Sequence, residues 1–428
     1  MINSNPPKGM RDLTPKEVEL RSYVVNTILD VYKNYGFSQI ETPCTDDINI
    51  LSSGEGGDNE KMLFKILKRG EKLNIDEIKT ENDLVDLGLR YDLTVPLCRF
   101  YANNRAKLPQ NFKVIQVGSV WRAERPQKGR FRQFTQCDID IIGIPGVVAE
   151  IELILATSKA LMRVGFKDFK VRINDRRILE SLAVFCGFEE SVFSKVFIIL
   201  DKLDKIGLDG VKNELEASNF SQASINQFID IVERATASPL TIESITSLLP
   251  NIPENVLADL TAVMKTIQTQ SANQYNITLD LSLVRGMGYY TGLIFEVEVP
   301  NYKSSIAGGG RYDKMIGKFL QSKENIPACG FSIGFERVIS ILEEQKFEIP
   351  KSQNKIALLY SDKTDSIDSL LSKAQELREE SNIVCIEIKA KNLSKQLDKL
   401  SEQGFKSFAI FTEGQSLEVK PLNKSPEA

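Results

Sequence analysis

The chain of 428 residues contains no histidine. That absence removes the usual proton carrier near neutral pH, and with it Ser-His-Asp triads, Cys-His pairs, histidine general bases and His-liganded zinc. Chemistry here has to run on arginine, lysine, carboxylates, tyrosine, backbone dipoles or a hard cation. Cysteine is sparse and scattered, at Cys44, Cys98, Cys137, Cys186, Cys329 and Cys385. No C-x-x-C pair exists, which excludes a zinc ribbon or thioredoxin-like motif and predicts a reduced, cytoplasmic protein. Neither charge sign dominates: 54 basic residues stand against 58 acidic ones. A global basic field is therefore missing, and contact with nucleic acid would rest on local patches. No apolar run approaches the roughly 18 residues of a membrane span, and the opening MINSNPPKGMRD lacks a signal-peptide core. No lipidation motif is visible either, so no membrane partner is expected. Finally, there is no Walker loop and no kinase signature, so any use of ATP falls to arginines.

What is present is an ordinary globular composition, 42% hydrophobic and 26% charged, on a length that suggests two or three domains. Residues 14–35 have helical periodicity, with Thr14 and Glu17 as a capping box and Gly36 as the stop. Residues 38–43 read as a short strand halted by Pro43, and 54–59 as a Gly/Asp-rich loop. Two apolar runs, 114–124 and 131–142, flank a polar hairpin connection. A helix is predicted at 149–164 and a strand at 169–173. Residues 176–274 read as several helices, 277–285 and 293–299 as strands, 308–311 as a tight glycine turn, and 333–343 as a helix. Beyond a polar stretch at 345–354, strands at 355–360, 383–388 and 405–411 alternate with helices at 364–380 and 393–403. That alternation predicts a small α/β domain with a largely parallel sheet.

Several clusters carry possible chemistry. Trp121-Arg-Ala-Glu-Arg-Pro-Gln-Lys-Gly-Arg-Phe-Arg132 is dense in guanidinium groups. Strand alternation would put Arg122 and Glu124 on one face and, across the loop, would have Arg130, Arg132, Gln136, Asp138 and Asp140 share a face, so that two antiparallel strands present arginines and carboxylates together. Arginine suits polyphosphate because its planar fork engages two oxygens and stays charged. Charge density alone fits a solvated, ion-paired hairpin equally well. Arg285 follows a run of apolar same-face residues, where a buried guanidinium needs an anionic partner. Asp92 and Thr94 precede a helix and read by default as caps. Lys391, Lys395 and Lys399 recur at helical spacing opposite Leu393, Leu397 and Leu400; such a stripe is usually solvated and can also meet phosphates.

Taken together and in order, these segments resemble the class II aminoacyl-tRNA synthetases, and within them the histidyl-tRNA synthetase family. Pro7-Lys-Gly-Met-Arg-Asp12 is similar to that family's opening. Tyr35-Gly-Phe-Ser-Gln-Ile-Glu-Thr-Pro43, the arginine-rich segment from Trp121, and Gly330-Phe-Ser-Ile-Gly-Phe-Glu-Arg337 resemble class II motifs 1, 2 and 3. Leu283-Val-Arg-Gly-Met-Gly-Tyr-Tyr290 and Ala307-Gly-Gly-Gly-Arg-Tyr-Asp313 are more specific to the histidyl branch. Leu89-Arg-Tyr-Asp-Leu-Thr-Val-Pro96 with Gln136-Cys-Asp-Ile-Asp140 is closer to its eukaryotic-style variant.

The resemblance implies an α+β fold: a class II antiparallel sheet flanked by helices, built from residues 1–175 and 275–345, with a helical insertion at 176–274 and an α/β anticodon-binding domain at 350–428. It implies ATP with Mg²⁺, L-histidine and tRNA(His) as partners, and a homodimer through the Pro43 region. Arg122, Arg285 and Arg337 would be catalytic. Arg122 would hold the α-phosphate of ATP and Arg337 the γ-phosphate, with Arg130 at the β,γ-phosphates and Glu124 at adenine. Asp92, Thr94 and Gln136 would bind the α-amino group of histidine. Asp140 and Tyr290 would read the imidazole, with Tyr289 beside them, and Arg285 would contact the α-phosphate and the carboxylate. Lys391, Lys395 and Lys399 would meet tRNA. Gly288 departs from the acidic or amide residue usual in the family, and the family's last domain often runs somewhat past a length ending at Ala428. The rival reading is a non-catalytic paralogue, the regulatory subunit that serves ATP phosphoribosyltransferase. Such paralogues usually lose the Arg285 segment and the anticodon domain.

Overall fold

The computed structural model describes residues 4–52, 62–70, 73, 78–126, 129–285, 288–302, 304–322, 324–350, 353–361 and 366–422. The loop expected at 54–59 lies outside them, as do Gln127, Lys128, Gly286 and Met287 within the motifs. The chain forms two compact units, Met1–Asp12 with Val24–Gln345, and Leu13–Tyr23 with Lys346–Ala428.

The first helix, Pro15–Asn34, starts at the expected capping box. The Thr14 N–H donates to Glu17 Oε2 at 2.7 Å, and the Glu17 N–H returns to Thr14 Oγ1 at 3.4 Å. Gly36, at φ +81°, ends it.

The strands of the larger unit are β1 (Ser38–Gln39), β2 (Thr45–Asp47), β3 (Phe64–Leu67), β4 (Val85–Leu89), β5 (Phe112–Trp121), β6 (Gln133–Ile142), β7 (Lys170–Asp175), β8 (Asn276–Leu279), β9 (Leu293–Glu298), β10 (Ala307–Arg311) and β11 (Ala328–Gly334). Eight of them form one sheet in the order β1-β5-β6-β11-β10-β9-β7-β8, antiparallel except at β1–β5 and β7–β8. The short strands β2, β4 and β3 form a second sheet. Alternation along β6 decides where the site lies. Cys137, Ile139 and Ile141 are wholly buried apolar residues on one face, while Gln136, Asp138 and Asp140 point to the other. The helices Val148–Val164 and Phe335–Glu344 pack against β6 and β11. Residues 176–274 are helical as expected, from Arg176–Phe185 through Glu254–Ser271.

Three local expectations are corrected. The strand predicted over 277–285 stops at Leu279. Asp280 Oδ1 accepts from the N–H and hydroxyl of Ser282, and the Leu283 N–H turns back to the Asp280 carbonyl, so a side chain takes over from the ladder. Residues 308–310 are not a turn but the middle of β10, paired on both sides. Their glycines serve close packing: a Cβ on Gly309 would lie 2.0 Å from the Gly330 carbonyl oxygen. The helix predicted from 333 begins at Phe335, because β11 runs on to Gly334. In addition, β5 ends at Trp121 and β6 begins at Gln133, so Arg122, Glu124, Arg130 and Arg132 sit in the connection and not on strand faces.

In the smaller unit, β12 (Lys355–Tyr360), β13 (Ile383–Ile388), β14 (Ser407–Ile410) and β15 (Val419–Pro421) form a sheet ordered β13-β12-β14-β15. The first three strands are parallel and β15 is an antiparallel edge. Both faces of β12 are buried, which explains its unbroken apolar run. Ile356 and Leu358 pack with Leu370, Ala374 and Leu377 of the helix Ile367–Glu379. Ala357 and Leu359 pack with Leu400 of the helix Leu393–Glu402, with Leu393 and Leu397 alongside. Among the described residues no helix is long and apolar enough to cross a membrane.

Candidate active site

The polar face of β6, continued onto β10 and β11, floors a cavity of about 890 Å³. All eleven residues expected to meet ATP or histidine line it: Arg122, Glu124, Arg130, Arg337, Asp92, Thr94, Gln136, Asp140, Arg285, Tyr289 and Tyr290. Gly288 is exposed and is not among the lining residues. Lys391, Lys395 and Lys399 belong to the smaller unit, where all three are exposed and the last two flank the leucine seam of the helix Leu393–Glu402.

Five guanidinium groups line the cavity: Arg172, and the four expected at ATP or the histidine carboxylate. Arg122 is held by its Nε, which donates to the Tyr91 carbonyl at 3.0 Å, and by the Phe134 ring, 5.1 Å from its guanidinium carbon. Arg130 pairs with Glu124. Arg285 lies beyond the strand that was expected to carry it and pairs with Glu296 of β9. Burial opposes its charge, yet Glu296 holds its pKa above the ordinary arginine range. Arg337, whose Nη1 donates to the Ser305 carbonyl, is pulled the other way. Burial lowers its pKa first, and the nearby cations Arg130, Arg285 and Arg122 add to that against an opposing pull from Glu296. Burial first and cationic neighbours second thus disfavour this charge, and an anion beside it would relieve both.

The opposite charge gathers around β6. The N-cap of the helix Thr94–Asn104 is Leu93 and not Asp92 or Thr94; Asp92 Oδ1, one residue earlier, accepts the Val95 N–H at 3.1 Å, while Oδ2 is buried without a partner in the protein. Burial pushes the Asp92 carboxyl up to about 6, with the Val95 N–H and Arg122 restraining it. Asp140 Oδ1 accepts from the Tyr312 hydroxyl at 2.7 Å, and burial pushes that carboxyl up to about 7. Gln136 Nε2 donates to Ser332 Oγ at 3.0 Å. Tyr289 forms an aromatic wall with Tyr290, at 4.8 Å between ring centres, and with Tyr312 at 6.1 Å. Two glycines are dictated by these side chains. A Cβ on Gly308 would lie 2.3 Å from Arg285 Nη1, and one on Gly330 would lie 2.0 Å from Asp140 Oδ1.

The loop between β5 and β6 is braced from the chain's start. The Arg132 N–H donates to the Gly9 carbonyl at 2.8 Å. Arg11 Nη2 reaches Glu336 Oε2 at 3.3 Å, and Glu336 Oε1 accepts the Thr135 N–H. Sequence reasoning missed Glu296, Tyr312, Ser332 and Glu336 as parts of this site. A carboxylate interrupting the apolar run of β9 was the available signal for Glu296. The others depend on register: β11 sets Ser332 beside Asp138 and Gly330 beside Asp140. Among the described residues no group of three or more cysteine, aspartate or glutamate side chains is arranged to hold a metal ion.

One cavity thus joins a guanidinium cluster suited to polyphosphate with a carboxylate and tyrosine pocket suited to a cationic or N–H-bearing molecule. Residues 9–338 match the profile of the family described as Histidyl-tRNA synthetase. The chain belongs to the histidyl-tRNA synthetase family. It is 43% identical to the histidine–tRNA ligase of Leifsonia xyli subsp. xyli over 98% of both chains. Its fold is similar to the crystal structure of histidyl-tRNA synthetase from Nostoc sp. PCC 7120, with a TM-score of 0.79, 26% identity, and coverage of 99% of this chain and 95% of that one. A structure described as an ATP phosphoribosyltransferase regulatory subunit/histidyl-tRNA synthetase from Bacillus halodurans C shares the fold at 20% identity, with a TM-score of 0.75 and coverage of 96% and 100%. The class II fold and membership among the ligases expected from the sequence are therefore met.

Proposed function

We propose that this chain is a working histidine–tRNA ligase whose single cavity activates L-histidine with ATP and then charges tRNA(His). The observation that carries this reading is the bipolar cavity itself, since its two halves match the two reactants. The histidine carboxylate attacks the α-phosphorus in line, a P–O bond forms, and pyrophosphate leaves. A carboxylate nucleophile arrives deprotonated, so no general base is required and a histidine-free enzyme loses nothing. Catalysis then rests on positioning and on fixed positive charge at the phosphoryl oxygens. Arg122 and Arg285 take the α-phosphate, Arg337 the γ-phosphate and Arg130 the β,γ-phosphates, with Glu124 toward adenine. Arg285 also meets the histidine carboxylate. Asp92, Thr94 and Gln136 take the α-amino group. Asp140, Tyr289 and Tyr290 form the imidazole pocket, where a carboxylate and a phenol supply the acceptor and donor that its two nitrogens need. No cage of protein ligands for Mg²⁺ is available among the described residues, so the ion is expected to arrive on the nucleotide's phosphates.

In this reading residues 1–175 and 275–345 are the catalytic domain, 176–274 an insertion, and 350–428 the anticodon-binding domain of a cytoplasmic homodimer. The test is pyrophosphate exchange into ATP with each amino acid in turn. Exchange that depends on histidine alone is expected. No exchange with any amino acid, from folded protein, would transfer the assignment to the regulatory paralogue. The lysines of the smaller unit are checked separately. Lys395→Glu is expected to weaken tRNA(His) binding by about three- to tenfold, more at low salt, while leaving pyrophosphate exchange unchanged. Unchanged tRNA affinity would return the stripe to a plain solvated face.

A further inference from the structure

Asp138 has no role in the mechanism above, yet it lies at the centre of the cavity floor. It sits on β6 between Gln136 and Asp140, in register with Gln116 on β5 and Ser332 on β11. The residue is 3% exposed and lines the cavity, and its Oδ1 has no hydrogen-bond partner in the protein. Gln116, facing it on β5, donates to the Leu93 carbonyl and accepts from the Thr42 hydroxyl, and makes no hydrogen bond to Asp138 Oδ1. A buried carboxylate oxygen without a protein partner is expensive, and one that lines a cavity is open to a donor that comes with a ligand.

Two more buried acceptors in the same cavity are orphaned, Asp92 Oδ2 and Gln136 Oε1. Asp92 is close enough to Asp138 that its charge raises the Asp138 pKa, after burial and Asp140, while Ser332 and Arg122 act in the opposite direction. A primary ammonium has three N–H donors and no acceptor. The three unmatched acceptors equal in number the donors of such a group, and the Thr94 hydroxyl lines the same cavity beside them. An imidazole offers at most two N–H groups, and its pocket already has Asp140 and the tyrosines.

We propose that Asp138 is a third acceptor for the α-ammonium of histidine, completing with Asp92 and Gln136 a site that recognises the substrate as a primary amine. This rests on the histidine-activation reading and adds a specificity-determining residue to it. The site selects against amine-free and N-acylated imidazole compounds, since either would leave buried acceptors unpaired.

The experiment measures inhibition of histidine-dependent pyrophosphate exchange by two probes, histidinol, which keeps the amine, and 3-(imidazol-4-yl)propionate, which lacks it. In Asp138→Asn the shape is kept and the charge removed. The inhibition constant for histidinol is expected to rise about 10- to 100-fold, as for a lost hydrogen bond to a charged group, while that for the propionate changes less than about twofold. The KM for histidine should rise with the histidinol constant, and the KM for ATP should stay put. Equal weakening of both probes, or no selective weakening of histidinol, overturns the proposal. Should the Asn protein not fold, Asp138→Ser is judged by the same ratio. Failure of the wild-type protein to exchange at all is a separate result, which overturns the histidine-activation reading beneath.

Discussion

Replacing Arg285 by Ala is expected to slow histidine-dependent pyrophosphate exchange by about 10²- to 10³-fold, the usual loss when one fixed donor to a developing oxyanion is removed. The structure explains why this arginine is so well placed. It is anchored to Glu296, its Nε is left without a partner, and Gly308 leaves room for its guanidinium against β10. A group held in place before the substrate arrives spends little on reorganisation. Truncation also strands Glu296, a mostly buried carboxylate, so part of any loss could come from local rearrangement. Arg285→Lys separates the two. It keeps a cation for Glu296 and loses the planar fork, and an intermediate loss of about tenfold is expected. A near-normal rate in the Ala variant would remove Arg285 from the mechanism.

Adjacent glycines of β10 should give opposite phenotypes. In Gly308→Ala the nearest atoms to the new Cβ belong to the far end of a side chain, the Arg285 guanidinium at 2.3 Å. The arginine can move aside, so exchange activity is expected to fall nearly as far as in Arg285→Ala while the melting temperature barely changes. In Gly309→Ala the new Cβ meets backbone, the Gly330 oxygen at 2.0 Å and the Phe331 Cα at 2.8 Å. Nothing there can rotate away, so β10 and β11 must separate, at a cost of about 3 kcal/mol or more in stability. Thermal unfolding and pyrophosphate exchange measured on both variants decide the matter. Normal exchange in Gly308→Ala, or equal melting temperatures in the two, would show that the floor of the cavity yields where the geometry says it cannot.

Much of the architecture was legible because periodicity and capping are local. The Thr14–Glu17 box, the alternation along β6 and the doubly buried β12 each rest on residues a few positions apart. Proline and glycine were harder to read. Pro96 lies in the first turn of the helix Thr94–Asn104, where a missing N–H costs nothing. The glycines at 308–310 read as a turn from sequence, because a glycine's tolerance of unusual backbone angles is visible in one segment. Its tolerance of a neighbour 2 Å from the missing Cβ depends on another segment altogether. The same holds for the strand that ends at Leu279, where Asp280 captures Ser282 and cuts the ladder short.

The candidate site divides along the same line. Every expected ATP and histidine residue lines one cavity, although they come from five separate stretches of chain. The chemical types were readable from sequence: arginines in place of a Walker loop, carboxylates and tyrosines in place of histidine, and lysines along one helix. Composition and short-range spacing determine these, since they depend on what a residue is and on its near neighbours. Only the tertiary structure decided which groups face each other. It set Glu296 against Arg285, Tyr312 against Asp140, and Asp138 beside two other unmatched acceptors. Those relations arise from strand register and from burial, which bring Tyr312 to an aspartate 172 positions away, and the free energy of a buried charge or acceptor is set by such distant partners.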